Sequence, residues 1–292
     1  MSKVYPNLFI IGAMKSGTTS LHEYLNLHPD IYMSDMKEPG YFVDGVNNIP
    51  DNPEAYLDLF VKGEGKKIVG ESSTHYTKLP TLKNAPERIK VFCDEVNINP
   101  KFIYLMRDPI KRAISHYWHD VRKEGQYLSI LDALKRTDRN EYIDFSDYAM
   151  QLSPYFEIFG KENVLVLTFE EMISNTENTL RQIFGWLGVD EMIELPKDIG
   201  AHNTMPAQFN KVRGRGLLHK MRNHPLWNAI SPLVPKTFKK KAISMSVKQV
   251  TVDASHDESI RTYLKPIFLE KILPLEQMLG RKFPEWGSLR SD

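Results

Sequence analysis

The sequence predicts an α/β fold: a P-loop-like central parallel β-sheet flanked by helices, built as a single domain over residues 1–292. Three observations predict it. Short apolar runs alternate with stretches of helical period, the pattern of a parallel, helix-covered sheet. The first run, Phe9-Ile10-Ile11, stops at Gly12, and Gly17 follows before a helical stretch, giving strand, loop and helix in order. Polar and charged residues follow each run, where such sheets gather their ligands.

Residues 8–12 read as a buried strand. Residues 18–28, TTSLHEYLNLH, put Leu21, Tyr24, Leu25 and His28 on one helical face, and His28-Pro29 ends the helix. KKIVGE (66–71) and KFIYLMRDP (101–109) are two further strands, and IKRAISHYWHDVRKE after Pro109 has helical spacing. A fourth run, NVLVLTFEEM (163–172), precedes the helical TENTLRQIFGWLG. Residues 200–245 are rich in Lys, Arg, His and Pro with little period, which reads as a long loop or lid followed by short helices. Residues 257–280 form an amphipathic helix. No internal repeat or low-complexity tract interrupts this order.

Lys and Arg number 38 and Asp and Glu 37, so the net charge is only +1. Any anion site must therefore be built locally, and no global pull toward nucleic acid exists. The basic run KTFKKK (236–241) lacks interleaved aromatics and reads as a solvated helix end. The one cysteine, Cys93, lies in the apolar IKVFCDEV and reads as a buried, inert thiol. No internal disulfide can form, which suits a reducing cytoplasm. No C-x-x-C or H-E-x-x-H pattern occurs, so no metal is expected. No apolar stretch is long enough for a signal segment or a membrane span.

The strand ends carry Lys15 to Thr19, Glu71 to His75, Arg107 with Asp108, and Glu170, which points to one site. The loop GAMKSG has the glycine spacing of an ATP-binding loop, but Thr18 stands where that loop needs lysine. Lys15 comes two places before Gly17 instead. Backbone N–H groups of a glycine-rich turn and a helix N-terminus make an anion cradle. Ser16, Gly17, Thr18, Thr19 and Ser20 line it, and Lys15 adds charge. Thr19 and Asp108 leave an ATP–magnesium enzyme open as an alternative. At the next strand end, Arg107 suits a phosphate clamp, and Ser115 offers a hydroxyl to the same group.

Taken together, KSGTTSL and RDPIKRAISHY resemble the sulfotransferases that use 3′-phosphoadenosine 5′-phosphosulfate (PAPS). KEPGYF (37–42) and GESSTHY (70–76) look like the corresponding segments of the heparan-sulfate-type branch. YFEIFGKENVLVLTFEEM and LEQMLGRKFPEWG are similar to later parts of bacterial members. The resemblance implies that the first loop holds the phosphosulfate and that Arg107 and Ser115 hold the 3′-phosphate. It implies Glu38 as general base, with His75 as rival through a looser likeness to the cytosolic branch. The eight other histidines have no comparable context. KVRGRG (211–216) looks like the second 3′-phosphate contact, through Arg213, Gly214 and Arg215. One departure stands out: the heparan-type branch has a lysine after the glutamate of its Gly-Glu-Lys stretch, and here Ser72 follows Glu71. Lys15 is left as the main cation, with Lys37 or Lys78 in support. The resemblance implies an acceptor hydroxyl, less readily an amine, on a small molecule, glycan or lipid, and the segments that would shape its pocket, 40–65, 117–147 and 200–245, carry no readable code. Tyr41, Phe42, Tyr117 and Trp118 either line its pocket or belong to the core. The alternatives are a P-loop kinase or other ATP enzyme, and a non-catalytic nucleotide-binding protein.

Overall fold

The computed structural model describes residues 3–46, 48–123, 128–136, 140–196, 208–212, 247–251 and 258–290. The elements run β1 (Leu8–Gly12), α1 (Thr18–Leu25), β2 (Ile31–Met33), α2 (Pro53–Leu57), β3 (Ile68–Ser72) and α3 (Ala85–Glu95). Then come β4 (Lys101–Met106), α4 (Pro109–Lys123), α5 (Ile130–Leu134), α6 (Glu141–Asp144) and α7 (Tyr148–Phe159). The chain continues through β5 (Val164–Thr168), α8 (Phe169–Ser174), α9 (Thr176–Leu187), β6 (Gln208–Val212), β7 (Val247–Thr251) and α10 (Glu258–Leu279).

Five strands form one parallel sheet in the order β2-β3-β1-β4-β5. Every residue of β1 and β3 is buried, as expected for strands covered on both faces. Alternation along β1 divides the core. Leu8 and Ile10 pack with Leu21 and Leu25 of α1 and Ile183 and Phe184 of α9. Phe9 and Ile11 belong to the opposite cluster, with Ile89 of α3, Leu152 and Tyr155 of α7, and Leu264 and Phe268 of α10. The central strand β1 has β3 on one side and β4 on the other, so the winding reverses there. Such a reversal opens a crevice at the carboxyl ends of the strands. The loops after β1, β3 and β4 meet at that edge.

Several boundaries differ from the sequence reading. The first helix ends at Leu25, because the Asn26 side chain turns to accept from Met33 N–H at 2.9 Å. His28 therefore lies beyond the helix, buried, with its Nε2 donating to Asp190 O at 2.9 Å and its Nδ1 accepting from Asp30 N–H at 3.0 Å. The run at 163–172 divides at Thr168, whose hydroxyl and the Glu171 carboxylate form a capping box that starts α8. Within the segment read as a lid, Gln208–Val212 is a strand paired antiparallel with Val247–Thr251. Cys93 is buried, and burial pushes its thiol up to about 12, as an inert core cysteine requires.

Gly12 ends β1 because nothing larger fits. A Cβ there would overlap Thr77 Oγ1 and come within 2.6 Å of the Tyr104 ring. Gly12→Ala is expected to lower stability by about 1–3 kcal/mol in urea unfolding. Gly287, with open space around it, is the control: Gly287→Ala should stay within about 0.5 kcal/mol.

Candidate active site

The loop after β1 is held in a conformation that side chains resist. Lys15 has φ 71° and Gly17 φ 91°, both left-handed. Ala13 N–H donates to Leu105 O at 2.7 Å and Ser16 N–H to Ala13 O at 3.1 Å, closing the turn. A Cβ on Gly17 would sit 2.7 Å from the Phe169 ring, so glycine is needed for space as well as for φ. Gly17 caps α1 without a side chain, which leaves the first-turn N–H groups directed at an incoming anion. Thr18 and Ser20 are buried, and Thr19 is half-buried. Ser16 is fully buried, and its hydroxyl has no partner among the described residues.

Arg107 follows β4 and reaches back over this loop. Its Nη1 donates to Lys15 O at 3.1 Å, and its guanidinium lies 5.0 Å from the centre of the Phe169 ring. Its Nε is buried without a partner among the described residues. Burial, then the charges of Arg122, Arg107 and Lys123, pull the Lys15 ammonium down to about 8. Unsatisfied donors and crowded cations are costly unless an anion enters. The phosphate end of a nucleotide fits these residues. Ser115 is half-buried in α4, which begins two residues after Arg107, and no hydrogen bond joins it to Arg107 among the described residues. Arg213, Gly214 and Arg215 lie outside the described residues.

Asp108 is fully buried and already committed. Its Oδ1 accepts from Ile110 N–H at 3.1 Å and Lys111 N–H at 3.2 Å, capping α4. Ser288 donates its backbone N–H to Oδ2 at 3.0 Å and its hydroxyl to Oδ1. Three donors crowd Oδ1 and one meets Oδ2, so the carboxylate that left an ATP–magnesium enzyme open already serves the start of α4 and Ser288.

The structure brings both candidate bases to the other side of the loop, against each other. Glu38 has φ 58°, also left-handed. Of the four non-glycine residues at positive φ among those described, two are asparagines, which adopt it readily, and the others are Lys15 and Glu38. Strained backbone at two charged residues of one crevice marks a working site. Glu38 Oε2 accepts from Thr74 N–H at 2.8 Å and lies 3.3 Å from His75 Nδ1. The Thr74 hydroxyl reaches both carboxylate oxygens at 3.2 Å, and Lys37 Nζ stands 3.4 Å from Oε1. Burial and the charge of Lys78 lower the His75 pKa, so its imidazole is neutral near pH 7. Lys78 itself lies over the Phe145 ring, 5.8 Å from its centroid.

Two residues support this side: Glu71, which the sequence placed at a strand end without a role, and His22, which it left aside. Glu71 is fully buried below the Glu38 loop. It accepts from Tyr76 OH at 2.6 Å, Ser73 OH at 2.7 Å and Tyr56 OH at 3.0 Å. Ser73 Oγ in turn accepts from Gly40 N–H at 3.0 Å, which links Glu71 to the loop above. His22 Nε2 lies 3.1 Å from Ser34 O, a pure acceptor, so this nitrogen carries the hydrogen. Its Nδ1 then accepts from the Ser72 hydroxyl at 2.7 Å. Burial pulls His22 down to about 4, so the pair is neutral. Helical spacing alone could not reveal it, since the partner comes from a strand fifty residues away. Of the four aromatics in question, Phe42 and Tyr117 are core, 2% and 6% exposed. Tyr41 is half-buried and stacks on Tyr56 at 4.3 Å, and Trp118 meets Tyr117 edge-on.

The sulfotransferase domain family matches residues 5–231. The chain belongs to that family. It is 29% identical over 199 residues to the mouse heparan sulfate glucosamine 3-O-sulfotransferase 3B1, an alignment covering 66% of this chain and 48% of that protein. Human carbohydrate sulfotransferase 15 is 25% identical over 251 residues, covering 65% of this chain and 45% of that protein. The chain thus spans about half the length of the curated relatives it matches. A crystal structure of a sulfotransferase from Alicyclobacillus acidocaldarius shares the fold, with TM-score 0.68 and 24% identity, over 97% of this chain and 99% of that one. Among the described residues, no helix of this sulfotransferase-family chain is long and apolar enough to cross a membrane, and no group of three His, Cys, Asp or Glu is placed to hold a metal ion.

Burial raises Glu71 to about 7 against the opposing pull of its three hydroxyl donors. The folded chain therefore keeps a proton there, between about pH 4.5 and about pH 7, that the unfolded chain has released. The stability this supplies is full at low pH and lost as pH rises through about 7. Glu71→Gln should remove that slope, so urea midpoints compared at about pH 5 and about pH 8 should fall further in wild type than in the variant.

Proposed function

We propose that this protein is a PAPS-dependent sulfotransferase that moves a sulfuryl group to an acceptor hydroxyl, less readily an amine, and releases adenosine 3′,5′-bisphosphate. One observation carries the reading: the anion loop is bracketed. Arg107 holds it from one side at 3.1 Å, and Lys37, Glu38 and His75 stand on the other, with Lys37 Nζ 3.3 Å from Thr18 Oγ1. A phosphate clamp, an anion cradle and a general base follow one another in the order that group transfer from a nucleotide needs. PAPS supplies the activated sulfuryl group when bound.

Ser16 to Ser20 and the α1 N-terminus hold the phosphate next to sulfur. Lys15 neutralises charge that grows on the oxygen leaving with that phosphate. Arg107, with Ser115, Arg213, Gly214 and Arg215, holds the 3′-phosphate. Glu38 takes the acceptor proton, and His75, neutral and in contact with it, positions the acceptor. The names of the curated relatives support a sugar hydroxyl as acceptor. With one cysteine, buried and unreactive, the chain suits a reducing compartment, and we place it in the cytoplasm. The deciding experiment measures binding of adenosine 3′,5′-bisphosphate against ATP–magnesium by calorimetry, and transfer from radiolabelled PAPS to a panel of hydroxylated acceptors. Preference for ATP–magnesium would overturn the reading in favour of a kinase. Bisphosphate binding without transfer to any acceptor would favour a non-catalytic nucleotide-binding protein.

Lys15→Ala should lower kcat roughly a hundred- to a thousand-fold. In wild type, kcat/KM should fall as pH rises through about 8, where Lys15 gives up its proton. Arg107→Ala should raise the KM for PAPS more than it lowers kcat, because a clamp on the 3′-phosphate acts equally in ground and transition states. The variant should also lose its preference for the 3′-phosphorylated donor over the 3′-dephospho form. Glu38→Gln should cost about a hundred- to ten-thousand-fold in kcat with PAPS affinity kept, and His75→Asn should cost less. Because the two side chains stand 3.3 Å apart, the double variant should lose less than the product of the single losses.

A further inference from the structure

Lys37, which the sequence offers with Lys78 only as a supporting cation, is put by the fold between the two halves of the site. Its ammonium donates to Thr18 Oγ1 at 3.3 Å, at the mouth of the anion cradle, and lies 3.4 Å from Glu38 Oε1. Its side chain is only 21% exposed, so its charge is partly shielded from water. The local backbone holds it there. Glu38 N–H donates to Ser72 O at 2.8 Å, tying the loop across the end of β3, and the left-handed turn at Glu38 follows. Ser72, at that same strand end, gives its hydroxyl to His22 Nδ1, and both groups are neutral. Ser72 therefore brings no charge to the crevice.

The proposed reaction breaks the bond between sulfur and the bridging oxygen of the phosphosulfate. The electron pair stays on that oxygen, which leaves with the phosphate. A new bond forms between sulfur and the acceptor oxygen, and the acceptor proton passes to Glu38. A group travelling from a phosphate in the cradle to an acceptor at Glu38 crosses the position of the Lys37 ammonium. That ammonium has three N–H donors: one serves Thr18, one Glu38, and the third, without a partner among the described residues, can meet an oxygen of the transferring group. Resting on the sulfotransferase reading, we propose that Lys37 is a catalytic residue that contacts the sulfuryl group in transit, while Lys15 serves the leaving phosphate.

The competing role is simple neutralisation of Glu38, and the test separates the two. Lys37→Met and Lys37→Arg are compared with wild type, and Lys37→Met is repeated in a Glu38→Gln background. Lys37→Gln replaces Lys37→Met if the latter fails to fold by circular dichroism. The readouts are kcat with PAPS and the Kd of adenosine 3′,5′-bisphosphate, which lacks the sulfuryl group. Loss of a contact made in the transition state predicts that Lys37→Met lowers kcat about a hundred-fold or more. The bisphosphate Kd should stay within about threefold of wild type, roughly 0.7 kcal/mol, because the lost contact is to the absent group. Lys37→Arg should retain more activity than Lys37→Met, and the loss should persist alongside Glu38→Gln. A kcat for Lys37→Met within about threefold of wild type would overturn the proposal. So would a loss that vanishes in the Glu38→Gln background, which would make Lys37 a positioning residue for Glu38. A parallel loss of bisphosphate affinity would also overturn it, by placing Lys37 in the nucleotide site. Wild type that neither binds the bisphosphate nor consumes PAPS would overturn the sulfotransferase reading itself, and Lys37 with it.

Discussion

The site depends on the tight turn between β1 and α1. A chain leaving a buried central strand must reverse within a few residues, and it does so with Lys15 and Gly17 in left-handed conformations. Those conformations are tolerated because the neighbours over-determine them: Leu105 O takes Ala13 N–H, Arg107 takes Lys15 O, and the Phe169 ring fills the space beside Gly17. The neighbours come from β4 and from the start of α8. The cradle is therefore a product of the sheet order, which sets β4 beside β1 and β5 beside β4. Backbone N–H groups, the Ser16 hydroxyl and a lysine already depressed to about 8 then face one small volume. In the proposed function an anion relieves all of them at once, so binding energy is directed at a phosphate.

On the far side of the turn, order is imposed by a buried acid. Glu71 gathers two tyrosine hydroxyls and the Ser73 hydroxyl, and Ser73 passes the constraint up to Gly40 N–H. The Glu38 loop thus rests on the core through polar contacts as well as through Phe42. The Glu38 carboxylate is fixed by Thr74, and a neutral His75 lies against it. In the proposed reaction, a base whose orientation is set before the acceptor arrives has little reorganisation left to make.

Much of this was legible in the sequence because it is local. A strand, a glycine-bounded loop and a helix occur within twenty residues, and the Arg107-Asp108-Pro109 corner repeats that logic after β4. The Thr168–Glu171 capping box is likewise a four-residue signal. What stayed hidden depends on contacts distant in sequence or on elements too short to show a period. Strand β2 has only three residues. The end of α1 is decided by an asparagine bonded seven residues ahead. The His22–Ser72 pair exists only once α1 packs on β3. That Lys37 lies by Thr18 and Glu38 while Lys78 lies over Phe145 depends on loop packing, and Phe42 and Tyr117 could not be told from pocket walls until burial was known. The strand at 208–212 was masked by the basic, proline-rich residues around it.

The Asp108–Ser288 contact has a practical side. Ser288 sits in the last described turn, and its backbone and hydroxyl both bind the carboxylate that starts α4, one residue from Arg107. At the other end of the described chain, residues 3–7 lead into the amino end of β1, the opposite edge of the sheet. The two ends are therefore not equivalent as attachment points. A surface linker or affinity handle joined ahead of β1 leaves the nucleotide crevice facing outward. The same handle joined after Ser288 hangs beside the crevice mouth and pulls on the carboxylate next to Arg107. Immobilising the protein, or fusing it to a reporter, is therefore best done through the amino end.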